Sequence, residues 1–245
     1  TVMEKKEQLY EGKAKKVYST ADDSLCIVEY KDDATAFNGL KKGTILGKGA
    51  VNNRVTNHLM RLLEKKGIPT HYVEQLSDRE TVVKRVKIVP LEVIVRNIAA
   101  GSLAKRLGLE EGIKLSRPVL EFCYKDDALG DPMVNEYHIL AMGYATEAEL
   151  KQISDYALKI NEILSDYLSD CGIELIDFKL EFGKTADGYR FELAGLDIRI
   201  YLRRVPTAYH IGSTEQIGHG LRAAVMWDYT HIYPCALPDS LEHKV

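Results

Sequence analysis

The stretch Ile176-Asp177-Phe178-Lys179-Leu180-Glu181-Phe182 alternates apolar and charged residues at every step. Extended backbone has a side-chain period of two, so Asp177, Lys179 and Glu181 share one face and Ile176, Phe178, Leu180 and Phe182 the other. A strand buried on both sides would be apolar throughout, and an exposed edge would carry scattered charge. Acid, base, acid in strict alternation reads either as a half-solvated strand with mutually paired charges or as one wall of a site. Before it, Leu150, Ile153, Ala157, Ile160, Leu164 and Leu168 recur at helical spacing, opened by a capping-box pattern at Thr146 and Glu149 and ending near Cys171-Gly172. After it, Asp187-Gly188 predicts a turn, which makes residues 173–194 a hairpin.

Working outward, Leu9-Tyr10 and Val17-Tyr18 read as short strands about the basic turn Glu11-Gly12-Lys13-Ala14-Lys15-Lys16, and Ser24 to Tyr30 continues the sheet. Val51, Val55, Leu59, Leu62 and Leu63 predict a helix from Ala50 to Lys66, stopped by Gly67 and Pro69. Residues 70–75, 81–88 and 91–96 read as strands, with Pro90 separating the last two. A short helix over 99–107 ends at Gly108, and residues 116–135 read as a long functional loop. The pattern is α+β.

With 245 residues, 45% of them hydrophobic and 28% charged, the chain is long enough for one large or two small domains. A net charge of -3 gives no electrostatic reason to expect nucleic acid. No apolar run approaches the ~20 residues of a membrane span, and the N-terminus lacks a secretory signal. Cys26, Cys123, Cys171 and Cys235 are widely separated, which suggests neither disulfides nor a zinc knuckle and fits a cytoplasmic protein. Residues 195–245 are different in character, with one lysine, Lys244, and the histidines His210, His219, His231 and His243. The first three of these lack zinc-ligand spacing.

Several groups carry possible chemistry. Gly12, Lys13, Ala14 and Lys15 offer close backbone approach and two ammonium groups to a polyphosphate, although lysines in surface turns are common. Arg96 ends an apolar strand shortly before Gly101-Ser102, so a guanidinium, a hydroxyl and helix amides can meet one phosphate; the plainer reading is a routine capped helix. Lys125, Asp126, Asp127, Asp131 and Asn135 crowd one loop, as turn formers or as ligands for a substrate amine or metal.

Taken together, Tyr10-Glu11-Gly12-Lys13-Ala14-Lys15, Ala50-Val51-Asn52-Asn53, Arg96-Asn97-Ile98-Ala99-Ala100-Gly101-Ser102, Asp131-Pro132-Met133-Val134-Asn135-Glu136 and Asp177-Phe178-Lys179-Leu180-Glu181-Phe182-Gly183 closely resemble SAICAR synthetase over roughly residues 3–194. The resemblance implies an antiparallel-sheet N-terminal lobe (1–88), a larger ATP and substrate lobe (89–194) with ATP in the cleft between them, and an atypical segment (195–245). It implies an ATP-dependent ligase of purine biosynthesis that joins carboxyaminoimidazole ribonucleotide (CAIR) to L-aspartate through an acyl phosphate, with Mg²⁺ and as a homo-oligomer, a dimer or larger assembly.

By the same resemblance, Gly12, Lys13, Ala14 and Lys15 hold ATP phosphates, Glu181 binds Mg²⁺, and Lys179 offsets charge at the reacting groups. Asp177 is a further charge in the site or orients Lys179. Arg96 and Ser102 hold the ribonucleotide phosphate, Lys125, Asp131 and Asn135 shape the substrate side, and the strand from Pro90 to Val95 lines the adenine pocket.

After Ala194 the family pattern ends. Gly195 stands where a metal-binding aspartate is expected, Ile200 replaces a second acid, and Arg203 falls on an arginine position. Asp197 would serve the metal if the strand shifted by two residues. Two rival readings follow: a nucleotide-binding relative without turnover, motivated by the lost acids, and a small-molecule kinase, whose phosphoryl transfer uses the same lysines, acids and metal.

Overall fold

The computed structural model of the chain describes residues 3–12, 14–36, 41–186, 191–202 and 224–225. Its elements are β1 (Gln8–Glu11), β2 (Lys15–Ser19), β3 (Leu25–Tyr30), β4 (Asp33–Ala36), β5 (Lys41–Thr44), α1 (Lys48–Lys65), β6 (Tyr72–Gln75), β7 (Glu80–Lys84) and β8 (Lys87–Ile98). There follow α2 (Gly101–Leu107), β9 (Lys114–Tyr124), β10 (Met133–Val134), α3 (Glu136–Ala141), α4 (Glu147–Asp170), β11 (Ile173–Lys184), β12 (Phe191–Leu202) and β13 (Ala224–Val225). One sheet has the order β1-β2-β3-β7-β6 and a second β10-β9-β8-β11-β12-β13, while β4 and β5 form a separate two-stranded ribbon.

The quoted strand is β11, paired antiparallel with β8 on one side and β12 on the other. Phe178, Leu180 and Phe182 enter the main core beside Leu91, Val93 and Val95 of β8, under the α4 stripe of Leu150, Ile153, Ala157, Ile160 and Leu164. Each such side chain contributes about 1.5–3 kcal/mol on burial, which fixes the register and leaves the charged face outward. Ile176 departs from the predicted face. A register irregularity between Leu175 and Asp177 sends it to a separate cluster with Ile98 and Ala100, as a bulge re-aims side chains by one position.

Two sequence readings are corrected. Pro90 does not separate two strands, because β7 ends at Lys84 and β8 runs from Lys87 through the proline. The proline is tolerated because the β8–β11 pairing shifts between Glu181 and Gly183, so no ladder bond is demanded of its missing N–H. Most of the expected loop at 116–135 is strand: β9 pairs with β8 from Leu91↔Tyr124 to Ile98↔Lys114. Its first half is largely exposed, so it lacks the alternation that would have revealed it.

Helix α1 joins the two sheets. Leu59, Met60 and Leu63 belong to the main core, while Asn53 donates to the Ser77 and Asp78 carbonyls and Asn57 donates to Thr81 Oγ1 on β7. Its N-terminus has no cap of its own, since Gly47 stands there at φ 84. Asp32 serves instead, accepting from the amides of Gly47 (3.2 Å) and Gly49 (2.8 Å) and forking onto Arg79 Nη1 and Nη2 at 2.7 and 2.8 Å. A Cβ on Gly49 would stand 2.5 Å from the Tyr30 carbonyl, so only glycine fits this approach.

The Arg79 hydrogen bond and the two amides hold the Asp32 carboxyl down at about 2, against an ordinary 3.8. A depressed carboxyl stabilises the fold above its unfolded value and loses that stabilisation as pH falls through its folded one. Asp32→Asn is therefore expected to cost about 2 kcal/mol at pH 7. Urea titrations of both proteins should converge as pH falls from about 4 towards 2; a difference that persists unchanged at low pH would refute the assignment.

Among the described residues no helix is long and apolar enough to cross a membrane. The predicted turn at Asp187-Gly188, His210, His219, His231 and His243, and the arginine at 203, lie outside the described residues.

Candidate active site

Register places Cys123, Glu92, Glu181 and Gly195 in one row across β9, β8, β11 and β12. Glu92 and Glu181 thus stand side by side on the charged face, a juxtaposition that costs energy unless cations compensate it. They do. Lys179 Nζ lies 2.5 Å from Glu92 Oε1, and Lys125 from the β9–β10 loop pairs with Glu181 Oε1. Lys15, at the start of β2, adds its charge from the N-terminal sheet. Burial raises the Glu181 carboxyl, yet Lys15 and Lys125 outweigh it and hold the group below its ordinary value. Lys15 is itself pushed down, by burial first and then by Lys125, against the pull of Glu181.

A second cluster occupies the other end of the same strand face. Arg96 is almost fully buried; Nε donates to Glu121 Oε2 at 2.8 Å, Nη1 to Asp177 Oδ2 at 2.9 Å and Nη2 to Ser102 Oγ at 3.0 Å. Arg106 binds the other oxygen of Glu121. The predicted meeting of Arg96 and Ser102 is present. The first amide of α2 is not available with them, because Gly101 N donates to Glu111 Oε1 at 2.8 Å. Asp177 is bound to the guanidinium, so it sits with the Arg96 cluster.

A cleft of about 840 Å³ is lined by Tyr10, Gly12, Lys31, Thr44, Lys125 and Asp131 among others. It lies between the β1–β2 turn, the β4–β5 ribbon and the loop after β9. In that loop, turn chemistry accounts for several polar groups: Asp126 Oδ1 accepts from the amides of Ala128 and Leu129, and Asp131 Oδ1 accepts from Asp126 N at 3.0 Å. Asn135 caps α3 in a reciprocal capping box with His138. Ala14 accepts from Lys31 N through its carbonyl. Lys13 lies outside the described residues.

Glu92, Glu121 and His71 were not singled out from the sequence. A charge inside Leu91-Glu92-Val93 carries the same signal as Arg96 four residues later, since an even spacing puts both on one strand face.

Mg²⁺ bound with a nucleotide needs only one or two carboxylates, because phosphate oxygens and waters complete its octahedron. Glu181, paired with Lys125 at the edge of the cleft, could supply one such carboxylate. Gly195 opposes Glu181 directly, and a Cβ there would stand 3.1 Å from Glu181 Cβ and 3.3 Å from its Cδ. A longer side chain at 195 would therefore share the Glu181 site, whereas glycine leaves Glu92 as its acidic neighbour in register. The two-residue shift does not occur, for Asp197 opposes Lys179.

Comparison with known proteins identifies the family. The SAICAR synthetase family model matches residues 8–194. The phosphoribosylaminoimidazole-succinocarboxamide synthase of Lachnoclostridium phytofermentans is 63% identical over 185 residues, covering 76% of this chain and 79% of that protein. That of Caldanaerobacter subterraneus subsp. tengcongensis is 65% identical over 186 residues, with the same coverage of both chains. The crystal structure of the Ehrlichia chaffeensis enzyme superposes with a TM-score of 0.78 at 42% identity, covering 80% of this chain and 86% of that one. A SAICAR synthetase in complex with ADP gives a TM-score of 0.76 at 46% identity, over 79% and 84% of the two chains. The chain belongs to the SAICAR synthetase family.

Proposed function

We propose that the outward face of β8 and β11, with the basic turn opposite it, carries out the SAICAR synthetase reaction through the residue roles given below. The chain is an ATP-dependent ligase that joins CAIR to L-aspartate, giving SAICAR, ADP and phosphate in purine biosynthesis. The carrying observation is the layout of β11. Asp177, with Arg96, and Glu181, with Lys125 and Lys15, stand four residues apart on one face, about 13 Å at ~3.3 Å per residue, with Lys179 between them. One end suits a phosphate held by a guanidinium, the other a metal-bearing polyphosphate, and a carboxylate between them would lie under the Lys179 ammonium.

A carboxylate is a poor electrophile. Its oxygen first attacks the γ-phosphorus of ATP, and ADP leaves with the bridging oxygen. The aspartate amine then attacks the acyl carbon, and phosphate leaves as the C–O bond breaks and the amine loses a proton. Arg96 and Ser102 hold the ribonucleotide phosphate, and Asp177 and Glu121 fix the guanidinium. Lys15, with Lys13 and the backbone of Gly12 and Ala14, binds the triphosphate, and the Pro90–Val95 strand lies towards the adenine. Lys179 offsets charge between nucleotide and carboxylate; Lys125 and Asp131 border the substrate side of the cleft. Glu181 would hold Mg²⁺, which when bound neutralises phosphate charge.

The lobe division belongs to the same reading: the first sheet uses strands between Gln8 and Lys84, the second begins with β8 at Lys87, and β12 continues across residue 195 to Leu202. A homo-oligomer does too, supported by the exposed apolar Leu129, Met133, Tyr137 and Met142 around α3; a monomeric mass by light scattering would remove it.

Purified protein should release ADP only when CAIR and aspartate are both present, with amide formed in equal amount. ADP release without aspartate, leaving a stable phosphoryl product, would instead indicate a kinase. Nucleotide binding without turnover would indicate a non-catalytic relative.

A further inference from the structure

Glu92 is an acid of the charged face for which the phosphate and metal roles leave no task. Across β8, β9 and β11, Asp177 and Glu121 are bound to Arg96, and Glu121 to Arg106 as well, while Glu181 pairs with Lys125. The Glu92 side chain is 13% exposed, and its Oε1 lies 2.5 Å from Lys179 Nζ. Its carboxylate makes no other hydrogen bond or ion pair among the described residues. Register explains the contact. Lys179 opposes Ile94, so its ammonium reaches diagonally along the ladder to Glu92, which itself opposes Glu181.

Substrates upset this balance. A substrate carboxylate under Lys179 takes a share of the cation that holds Glu92, and a desolvated carboxylate short of a cation is costly. ATP, CAIR and the two carboxylates of aspartate all bring negative charge. The cation among the reactants is the ammonium of aspartate, whose nitrogen is also the nucleophile. Held at Glu92, that nitrogen would stand beside the carboxylate under Lys179. It would also be one strand from Glu181, since directly opposed residues have Cβ atoms ~5 Å apart. The activated phosphoryl group belongs there if Glu181 holds the metal.

We infer that Glu92 is the receptor for the aspartate amine: its carboxylate accepts from the ammonium and sets the nitrogen beside the substrate carboxylate that ATP activates. This rests on the ligase reading, with the reacting carboxylate at Lys179. Glu92→Gln keeps the shape and an acceptor oxygen but removes the charge. It should lower kcat/KM for aspartate about ten- to hundredfold, the worth of one hydrogen bond between charged groups. KM for CAIR, and Kd for ADP by calorimetry, should stay at parental values.

Hydroxylamine separates the amine role from a structural one. It is uncharged at pH 7 and attacks an acyl phosphate to give a hydroxamate, so it needs no carboxylate to receive it. With ATP and CAIR, parent and Glu92→Gln should form hydroxamate at the same rate. A variant with parental kcat/KM for aspartate would overturn the inference. An equal loss with aspartate and hydroxylamine, or a loss spread alike over aspartate, CAIR and ADP, would show Glu92 acting through Lys179 or the fold and would overturn it too. A parent protein that releases no ADP with CAIR and either nucleophile would instead remove the ligase reading, and the inference with it.

Discussion

Arg96→Met is expected to lower stability by about 3–5 kcal/mol, the range for breaking a buried ion pair by removing one partner. The guanidinium lies between Asp177, Glu121 and Ser102, all near the end of the six-stranded sheet. Methionine fills much of the same volume, so little of the loss is cavity. The cost comes from two buried carboxylates that lose a shared cation, and Glu121 retains Arg106 while Asp177 loses the guanidinium. Urea unfolding measures the loss. Adding Asp177→Asn should recover part of the stability, because it removes the buried charge that the first substitution exposed, whereas turnover should stay lost. A double variant that regains turnover would show that Arg96 holds the fold and no substrate, and an Arg96→Met protein as stable as the parent would refute the buried pair.

The sequence was most readable where a regular period met a buried surface. The α4 stripe packs as spaced, as does the β11 alternation from Phe178 onward, since one face of each is covered; of the α1 stripe Leu59 and Leu63 join the core, with Val55 and Leu62 partly buried at its margin. Reading failed where that condition lapsed. Strand β9 exposes most of its first half and includes Pro118, so its pattern carried no period although its pairing with β8 is long. Helix α3 has six residues and a capping box closed by His138, outside the usual glutamate or glutamine.

The charged face was legible, but its partition was not. Alternation shows that Asp177, Lys179 and Glu181 share a face; only register across β8 shows that Arg96 opposes Asp177 while Glu92 opposes Glu181. Cross-strand partners are set by tertiary pairing, which one strand's sequence does not contain. The same holds for Gly195, whose meaning depends on its standing opposite Glu181.

Glu181→Gln should leave the fold nearly intact and lower kcat by about a thousandfold, within the range seen when a group stabilising transition-state charge is removed. The amide has the shape of the carboxylate and still accepts from Lys125, so the two differ mainly by one negative charge. Lys15 and Lys125 are the two lysines whose charge acts on that carboxyl, and the change would make the site more cationic. ATP without metal should consequently bind at least as well to the variant, while the Mg²⁺ concentration needed for half-maximal rate should rise. That split separates loss of a metal ligand from loss of folding. The pH dependence gives an independent check: because the lysines hold Glu181 below its ordinary carboxyl value of 4.5, an acid limb of kcat above that ordinary value must belong to another group. A variant that keeps a tenth or more of parental kcat at saturating Mg²⁺, or that weakens ATP binding without affecting the metal requirement, would take the metal away from Glu181.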